Sequence, residues 1–555
     1  MFNSQEFKQA FPLFSQPENQ RLVYLDNAAT TQRPQCVLDA ITDFYLHSNA
    51  NTHRSSHRLA RRATEMVERV RAQLADFVNA AVPEEIVFTR GATEALNLLA
   101  ASIGQTLQPG DEIILSEAEH HANLVPWHML AQRYELTLRF LPCEQGGSTL
   151  GVPDLSRLPE LLNTRSRLLA ITAASNVLGW KLDLVALREQ LKGSCCQLLL
   201  DATQLLAHES VDVQRLDCDF LVGSAHKFYG PTGVGFVYGK AAALSALPPW
   251  QGGGEMIDTV TLEGSVYAPP PHRFEAGTSS LAAIAGLGAA LDFLASWDRA
   301  ALHAHESELL FQLHERLARL PFIRVLTHTD NNLGLAVFVP GAGCPLSAVD
   351  IAHWLDEHDI AVRVGHHCAQ PLIDSLGMGP ALRISLAGYS CLQDVECLID
   401  ALQRLPLEVA EVASREPSDE LFNDPQEDVS LDDLNDQGWQ QRYRRLMKWG
   451  DTLSAKPAIR LPEYLVKGCE SQAWLLHRCV EGRHEFAIDS EARVVRGLSV
   501  LLLLLVQGRR SDEISLAALQ QTFTDLGLDK HLSVSRSNGF AALVDAVLKA
   551  VSMTE

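Results

Sequence analysis

Short apolar runs alternating with helical patterns from Glu85 onward constrain the fold more than any other feature of the chain. The runs at 86–88, 113–115, 138–141, 168–172, 198–201 and 220–223 read as strands. Alternation of this kind predicts an α/β unit with a largely parallel sheet covered by helices. Upstream, residues 1–20 read as a short amphipathic helix with Phe2, Phe7, Phe11 and Phe14 on its apolar side. A strand and turn at 24–31, a helix through Asp43 and a long charged helix through Val78 follow. Past Leu287 the pattern changes to a long helix, a strand at 333–339, a helix to His358, strands at 360–364 and 382–385, and a last helix to Leu405. That order predicts a smaller α+β domain.

The chain has 555 residues, too many for one core. Between Leu407 and Trp439, 11 acidic residues face one arginine, with Pro417 and Pro425, as in a linker or a loosely ordered acidic segment. A third unit begins near Trp439. It has an amphipathic helix carrying Tyr443, Leu446, Met447 and Trp449, a hairpin turning at Glu481-Gly482, and an apolar helix over 494–506. The net charge of −22 argues against non-specific binding to nucleic acid or anionic membranes, although a local basic groove remains open. The first residues lack a basic and then apolar leader, and the longest strongly apolar run, 498–506, is too short to span a bilayer. The 11 cysteines form no C-x-x-C pair and no cluster of zinc spacing. A reducing cytoplasm, buried thiols and no metal site are expected.

The chemistry gathers where strands end. The strand at 220–223 runs into Ser224-Ala225-His226-Lys227 and a glycine-rich loop through Gly235. A lysine there is either solvated or half desolvated at a pocket mouth. Desolvation favours the neutral amine that attacks an aldehyde. With a hydroxyl and an imidazole beside it to hold phosphate, the stretch suits a Schiff-base lysine carrying pyridoxal phosphate (PLP). Arg90-Gly-Ala-Thr93-Glu94 opens a helix after a strand, which makes it a phosphate seat or an ordinary cap. Glu119-His120-His121 places a flat imidazole at a strand end, where it can stack on a pyridine and shuttle a proton, or else be a surface pair. Asp201 ends a strand 26 residues before Lys227, and a buried carboxylate needs a cation such as a pyridinium N–H. Gly365-His-His-Cys368 offers a cysteine beside two imidazoles, whose positive charge would lower a thiol pKa. The alternatives are a packed cysteine or a metal fragment. Arg383 is either solvated or a holder of a substrate carboxylate.

Together with Tyr24-Leu-Asp-Asn-Ala-Ala, Asn51-Thr-His-Arg54, Glu119-His-His-Ala-Asn-Leu-Val-Pro-Trp127, Ser175-Asn-Val-Leu-Gly179, Phe274-Glu-Ala-Gly-Thr278 and Val362-Arg-Val-Gly-His-His-Cys-Ala369, these stretches resemble the Suf/Csd-type cysteine desulfurases of the class V aminotransferase family. The resemblance covers about residues 20–405. Val466-Lys-Gly-Cys-Glu-Ser-Gln-Ala-Trp474, Asp489-Ser-Glu-Ala-Arg-Val-Val-Arg-Gly497 and Ser535-Arg-Ser-Asn-Gly539 resemble the SufE/CsdE sulfur acceptors over roughly 437–555. The implied architecture is a PLP fold-type I large domain (about 20–285) with a small α+β domain (about 1–19 and 286–405). An acidic linker (406–436) and a separate α+β SufE-like domain (437–555) follow.

The resemblance implies a homodimer with its site at the subunit interface, acting on L-cysteine. By it, Lys227 carries the cofactor, His120 stacks on the ring, Asp201 pairs with the ring nitrogen and Gln204 contacts the ring oxygen. Thr93, Ser224 and His226 seat the phosphate, with Thr278 reaching in from the other subunit. Asn176 and Arg383, with Arg54 and Arg363, hold the substrate. Cys368 takes the sulfur and Cys469 accepts it for a downstream acceptor protein. An iron–sulfur scaffold and a tRNA- or cofactor-thiolating pathway are both compatible. Four positions depart from the family pattern. Ala92 stands for the usual Thr, Ala225 for Gly, and Asp201-Ala-Thr-Gln204 for Asp-Gly-Ala-Gln. Selenocysteine lyase, another PLP reaction such as transamination, and a non-enzymatic sulfur carrier or assembly platform remain alternatives.

Overall fold

In the computed structural model, the described residues are 2–53, 56–342, 344, 346–413, 419–422, 429–434, 439–460, 464–466, 472–490, 493–527 and 534–552. Arg54 and Cys469 lie outside them. The chain divides into two units. The first comprises Met1–Gly341 with Leu355–Ala401, the second Ala342–Trp354 with Leu402–Glu555.

In the first unit, a short strand β1 (Val23–Tyr24) precedes a seven-stranded sheet made of β2 (Ile86–Thr89), β3 (Glu112–Ser116), β4 (Thr137–Leu141), β5 (Ser166–Thr172), β6 (Gln197–Asp201), β7 (Phe220–Ser224) and β8 (Gly235–Gly239). The sheet order is β2-β8-β7-β6-β5-β3-β4. Strands β3 to β7 run parallel, and β8 is antiparallel to both β2 and β7. Ile113, Leu115, Leu168, Leu169, Leu199 and Leu200 are all fully buried, the pattern of strands covered on both faces. The sequence reading absorbed β8 into the glycine-rich loop. Its flanking glycines are there for close approach: a Cβ on Gly235 would stand 2.6 Å from both the Gly223 carbonyl oxygen and the Gly91 Cα. The helix Arg58–Val78 buries Ala60, Ala63, Val67, Val70, Leu74 and Val78 at helical spacing and stops on left-handed Asn79.

The N-terminal segment differs from the single helix expected. The helix Ser4–Gln9 gives way to two 3₁₀ turns, Pro12–Ser15 and Pro17–Asn19, because each proline lacks the N–H a continuing helix needs. Phe7 and Phe11 nevertheless reach the core, packed with Tyr229, Phe293 and Tyr389.

After a hairpin of β9 (Ile257–Val260) and β10 (Ser265–Tyr267), helices Leu281–Ala295 and Arg299–Leu317 lead into β11 (Ile323–Val325), β12 (Leu335–Pro340), β13 (Ile360–Ala361), β14 (Arg363–Gly365) and β15 (Ala381–Ser385). An antiparallel sheet of order β11-β12-β15-β14 results, while β13 pairs in parallel with β1. The last helix runs from Leu392 to Ala413 rather than ending at Leu405. Leu407, with the alanines and glutamates that follow it to Ala413, has enough helix propensity to carry it on.

In the second unit, β16 (Ala473–Val480) and β17 (Arg483–Ser490) form the expected hairpin. Glu481 (φ 52°) and Gly482 (φ 75°) are both left-handed, as a tight two-residue turn requires. Helix Arg493–Val506 buries Leu498 and Leu501 to Leu503 among Leu446, Trp449, Leu543 and Val547. Buried Arg460 donates to Asp350 and, at 2.8 Å, to Asp489, which is wholly enclosed. No single helix among the described residues is long and apolar enough to cross a membrane.

Helix Arg493–Val506 meets helix Trp439–Thr452 at Gly497, where a Cβ would lie 2.1 Å from the Leu446 carbonyl oxygen. That neighbour is backbone and cannot swing away. Gly497→Ala is expected to cost the second unit about 1–3 kcal/mol, read as an earlier unfolding transition in calorimetry of the full chain.

Candidate active site

Parallel strands deliver their following loops to one edge of the sheet, where ligands bind in open α/β folds. Here that edge carries a cavity of ≈ 730 Å³ lined by Thr93, His120, Asn176, Asp201, Gln204, Ser224, His226, Lys227, Arg363, Cys368 and Arg383, among others. Thr93 lies in the first turn of helix Ala92–Gly104, after β2. His120 follows β3, Asn176 follows β5, Asp201 ends β6, and Lys227 closes the turn after β7. The second sheet supplies Arg363 from β14, Arg383 from β15 and Cys368 from the loop between them.

Lys227 is enclosed. Its Nζ donates to the carbonyls of Ala28 and, at 2.9 Å, Ala29. Burial, then the charges of Arg383 and Arg363, push its pKa down to about 7 against the pull of Asp26 and Asp201. The amine is therefore half neutral at neutral pH, the state a nucleophile or base needs. Burial lowers His120, with Asp201 opposing. Its Nδ1 accepts the Ala122 N–H at 3.0 Å, which leaves the neutral ring's proton on Nε2. His226 is brought down to about 4 by burial, then by Lys227 and Arg33, and its Nδ1 lies 3.2 Å from the Thr30 hydroxyl.

The site is built for a ligand with a phosphate and a protonatable ring. Asp201 is 6% exposed, takes the Thr203 N–H at 3.0 Å, and has no cation within ion-pair distance among the described residues. A buried carboxylate in that state calls for a cationic group from the ligand. Gly91 caps the helix at φ 156°, and a Cβ there would come 3.3 Å from Ser224 Oγ, so glycine keeps this seat open. Thr203 Oγ1, Trp250 Nε1, His367 Nδ1 and Arg383 Nε belong to cavity residues, are buried, and have no hydrogen-bond partner among the described residues. Orphaned polar atoms around one cavity mark where a polar ligand completes the structure.

The loop that carries the thiol is held by the large sheet. Asn176 Nδ2 donates to the His367 carbonyl at 2.6 Å, and the His121 N–H donates to the Cys368 carbonyl at 2.7 Å. His121 Nε2 also accepts the Gln370 N–H at 3.2 Å. His367 and Cys368 are both left-handed, at φ 51° and 58°, and Cys368 is exposed. One expectation changes. His367 is buried, its pKa is pushed down to about 3 by burial and then Arg383, and its Nε2 faces the Ala381 carbonyl at 3.0 Å. His367 therefore brings no positive charge to the thiol beside it.

The structure brings together eleven of the sequence-derived residues around this cavity. Asn176 also anchors the thiol loop, and Gln204 Nε2 donates to the Ala28 carbonyl at 3.0 Å. Thr278 lies apart, exposed, 3.4 Å from the Asn51 side chain and lining a neighbouring cavity of ≈ 490 Å³. Sequence reasoning missed Glu119, which is 1% exposed and raised to about 8 by burial. It binds Ser116, Asn123 and the Thr172 N–H, tying the His120 turn to β5. It also missed His121 as a loop anchor and Asp26 as the partner of Arg383. A strand-end carboxylate in Tyr24-Leu-Asp26 was the available signal.

Residues 23–398 match the family described as aminotransferase class-V, and residues 431–551 match the SufE family, an Fe–S metabolism associated domain. The chain is similar to a cysteine desulfurase of Dickeya dadantii, 46% identical over 398 residues, 71% of this chain and 95% of that protein. Among solved structures it is similar to the cysteine desulfurase CsdA of Escherichia coli, with a TM-score of 0.68 and 39% identity over 74% of this chain and 99% of that one. The apo cysteine desulfurase of Thermococcus onnurineus gives 0.68 at 33% identity, over 73% and 98%.

The enclosed lysine sets a measurable expectation. In cofactor-free protein, acetylation of Lys227 followed by peptide mass spectrometry should titrate with a midpoint near pH 7, whereas surface lysines should need pH above about 10. A midpoint like that of the surface lysines would show that the enclosure does not hold in solution.

Proposed function

The chain belongs to the class-V aminotransferase family and carries a SufE-type domain, and on that premise we propose a PLP-dependent cysteine desulfurase that passes sulfur from Cys368 to Cys469. The carrying observation is that an exposed cysteine on a left-handed loop lines the same cavity as a lysine tuned to about 7. PLP, when bound, supplies an electron sink for the substrate's carbon skeleton. Lys227 would hold it, Asp201 would hold its ring nitrogen protonated, and His120 and Gln204 would flank the ring. Thr93, Ser224 and His226 would take its phosphate, with neutral His226 giving an N–H.

The remaining work falls to side chains of this chain. Arg383 and Asn176, with Arg363 and Arg54, hold the carboxylate of L-cysteine. Freed Lys227, whose burial favours the neutral amine, takes the proton from the substrate's Cα and can return one. His120 carries its neutral-state proton on Nε2 and can pass it inside the cavity; groups in that position typically contribute ~10²–10⁴-fold. Cys368, as thiolate, attacks the substrate sulfur. The new S–S bond forms as the Cβ–S bond breaks, the electron pair stays on carbon, and a proton completes alanine. The outer sulfur keeps its hydrogen, which leaves Cys368 as a persulfide.

Cys469, also as thiolate, then attacks that outer sulfur, and Cys368 returns as the free thiol. Tethering the acceptor to the donor makes the exchange intramolecular, at an effective concentration of order mM. We place the desulfurase at 1–405 (large domain about 20–285, small domain about 1–19 and 286–405), the acidic linker at 406–436 and the acceptor domain at 437–555. The working enzyme is a cytoplasmic homodimer in which Thr278 serves the other subunit's phosphate seat. Iron–sulfur assembly and RNA or cofactor thiolation are the sulfur's destinations consistent with this chemistry.

Persulfide mapping by alkylation and peptide mass spectrometry after L-cysteine tests the relay. Label is expected on both cysteines in the wild type, on Cys368 alone in Cys469→Ser, and on neither in Cys368→Ser. Label on Cys469 that survives Cys368→Ser overturns it.

A further inference from the structure

Arg383 is the most tightly specified charge in the cavity. Its side chain is 2% exposed. Nη1 donates to the Asn176 carbonyl at 2.7 Å and Nη2 to Asp26 Oδ1 at 3.0 Å. Nε alone is buried without a partner. A guanidinium held at two nitrogens, on a residue that lines the cavity, is oriented before its ligand arrives.

Asp26 is itself held hard. It bridges to Ser385 beside β15, its carbonyl accepts the N–H groups of Ala29 and Thr30 at 3.1 and 3.3 Å, and the Tyr24 hydroxyl lies 3.4 Å from the same carbonyl. Its other carboxylate oxygen faces Arg363 at 3.8 Å. Two and three residues on, the Ala28 and Ala29 carbonyls take Lys227. One short turn therefore sets the carboxylate-binding cation and the lysine against each other. The charge of Asp26 also opposes the two arginines that depress Lys227.

Resting on the desulfurase reading above, we infer that Asp26 is a positioning residue for substrate: it locks the Arg383 guanidinium in the orientation in which Arg383 lines the cavity to take the substrate carboxylate. Without that lock the guanidinium has only the Asn176 carbonyl to orient it, and part of each binding event goes to re-ordering it. The loss falls mainly on binding, because Asp26 touches neither the reacting sulfur nor Cα and acts on Lys227 through its charge alone.

The test uses the full-length holoenzyme. Calorimetry with 3-mercaptopropionate, which keeps thiol and carboxylate but lacks the amine, reads carboxylate binding without turnover; ethanethiol, lacking the carboxylate, is the control. Asp26→Ala should weaken 3-mercaptopropionate about tenfold and raise KM for L-cysteine by a similar factor, the scale of one charge-assisted hydrogen bond. The kcat should fall less than about threefold and ethanethiol binding should not move. Asp26→Asn, which keeps an acceptor for Nη2, should recover most of the affinity. Should Asp26→Ala not fold, Asp26→Glu, which displaces the acceptor by one methylene, carries the same expectation. Affinity and KM unchanged in these variants, or a loss confined to kcat, overturns the inference. A wild type that binds 3-mercaptopropionate but releases no sulfur from cysteine overturns the desulfurase reading instead, and the calorimetry still decides the role of Asp26.

Discussion

The turn from Asp26 to Thr31 is where the first unit is tied together. Large-sheet groups reach it from one side: Lys227 on the Ala28 and Ala29 carbonyls, Gln204 on Ala28, and the His226 carbonyl on the Thr31 N–H. The antiparallel sheet reaches it from the other. Ser385 takes the Ala28 N–H at 2.9 Å, Asn27 donates to the Ser385 carbonyl at 2.7 Å, and Arg383 meets Asp26. Tyr389 closes the gap, bonding Asn27 and the Gln32 N–H. Every one of these groups is a buried or half-buried polar atom that would be costly to leave unpaired. The two sheets thus share one hydrogen-bonded joint, and the cavity opens beside it.

Much of this was legible in the sequence because it is local. Apolar runs at 113–115, 168–172 and 198–201 are buried strands for the reason their composition announces, and residues at strand ends share an edge by construction. The Glu481-Gly482 turn and the helix over 494–506 follow the same logic. What stayed hidden is long-range or exceptional. Strand β8 is bounded by glycines, Gly235 against backbone and Gly239 against the Leu244 side chain, so its signal resembles a loop. Asp26 and Arg383 are 357 residues apart, and no spacing rule couples them. The neutrality of His367 depends on burial against Ala381 and on the nearby Arg383, neither visible in His-His-Cys.

Charge within the cavity is arranged by enclosure more than by ion pairing. Burial is the largest influence on Lys227, His120 and His226, and on Glu119 behind His120. Each is moved toward its neutral form. Arg383 and Asp201 line the same cavity: one is locked by Asp26, and the other takes the Thr203 N–H with no cation at ion-pair distance among the described residues.

The two left-handed residues at the thiol have a consequence for how such a chain can change. An L side chain in that conformation costs roughly 1–2 kcal/mol relative to a right-handed one, and glycine escapes most of it. If the thiol at position 368 takes the sulfur, the demands of a stable fold and of that chemistry pull in opposite directions there. A chain that made no use of the thiol would gain stability from glycine at that position.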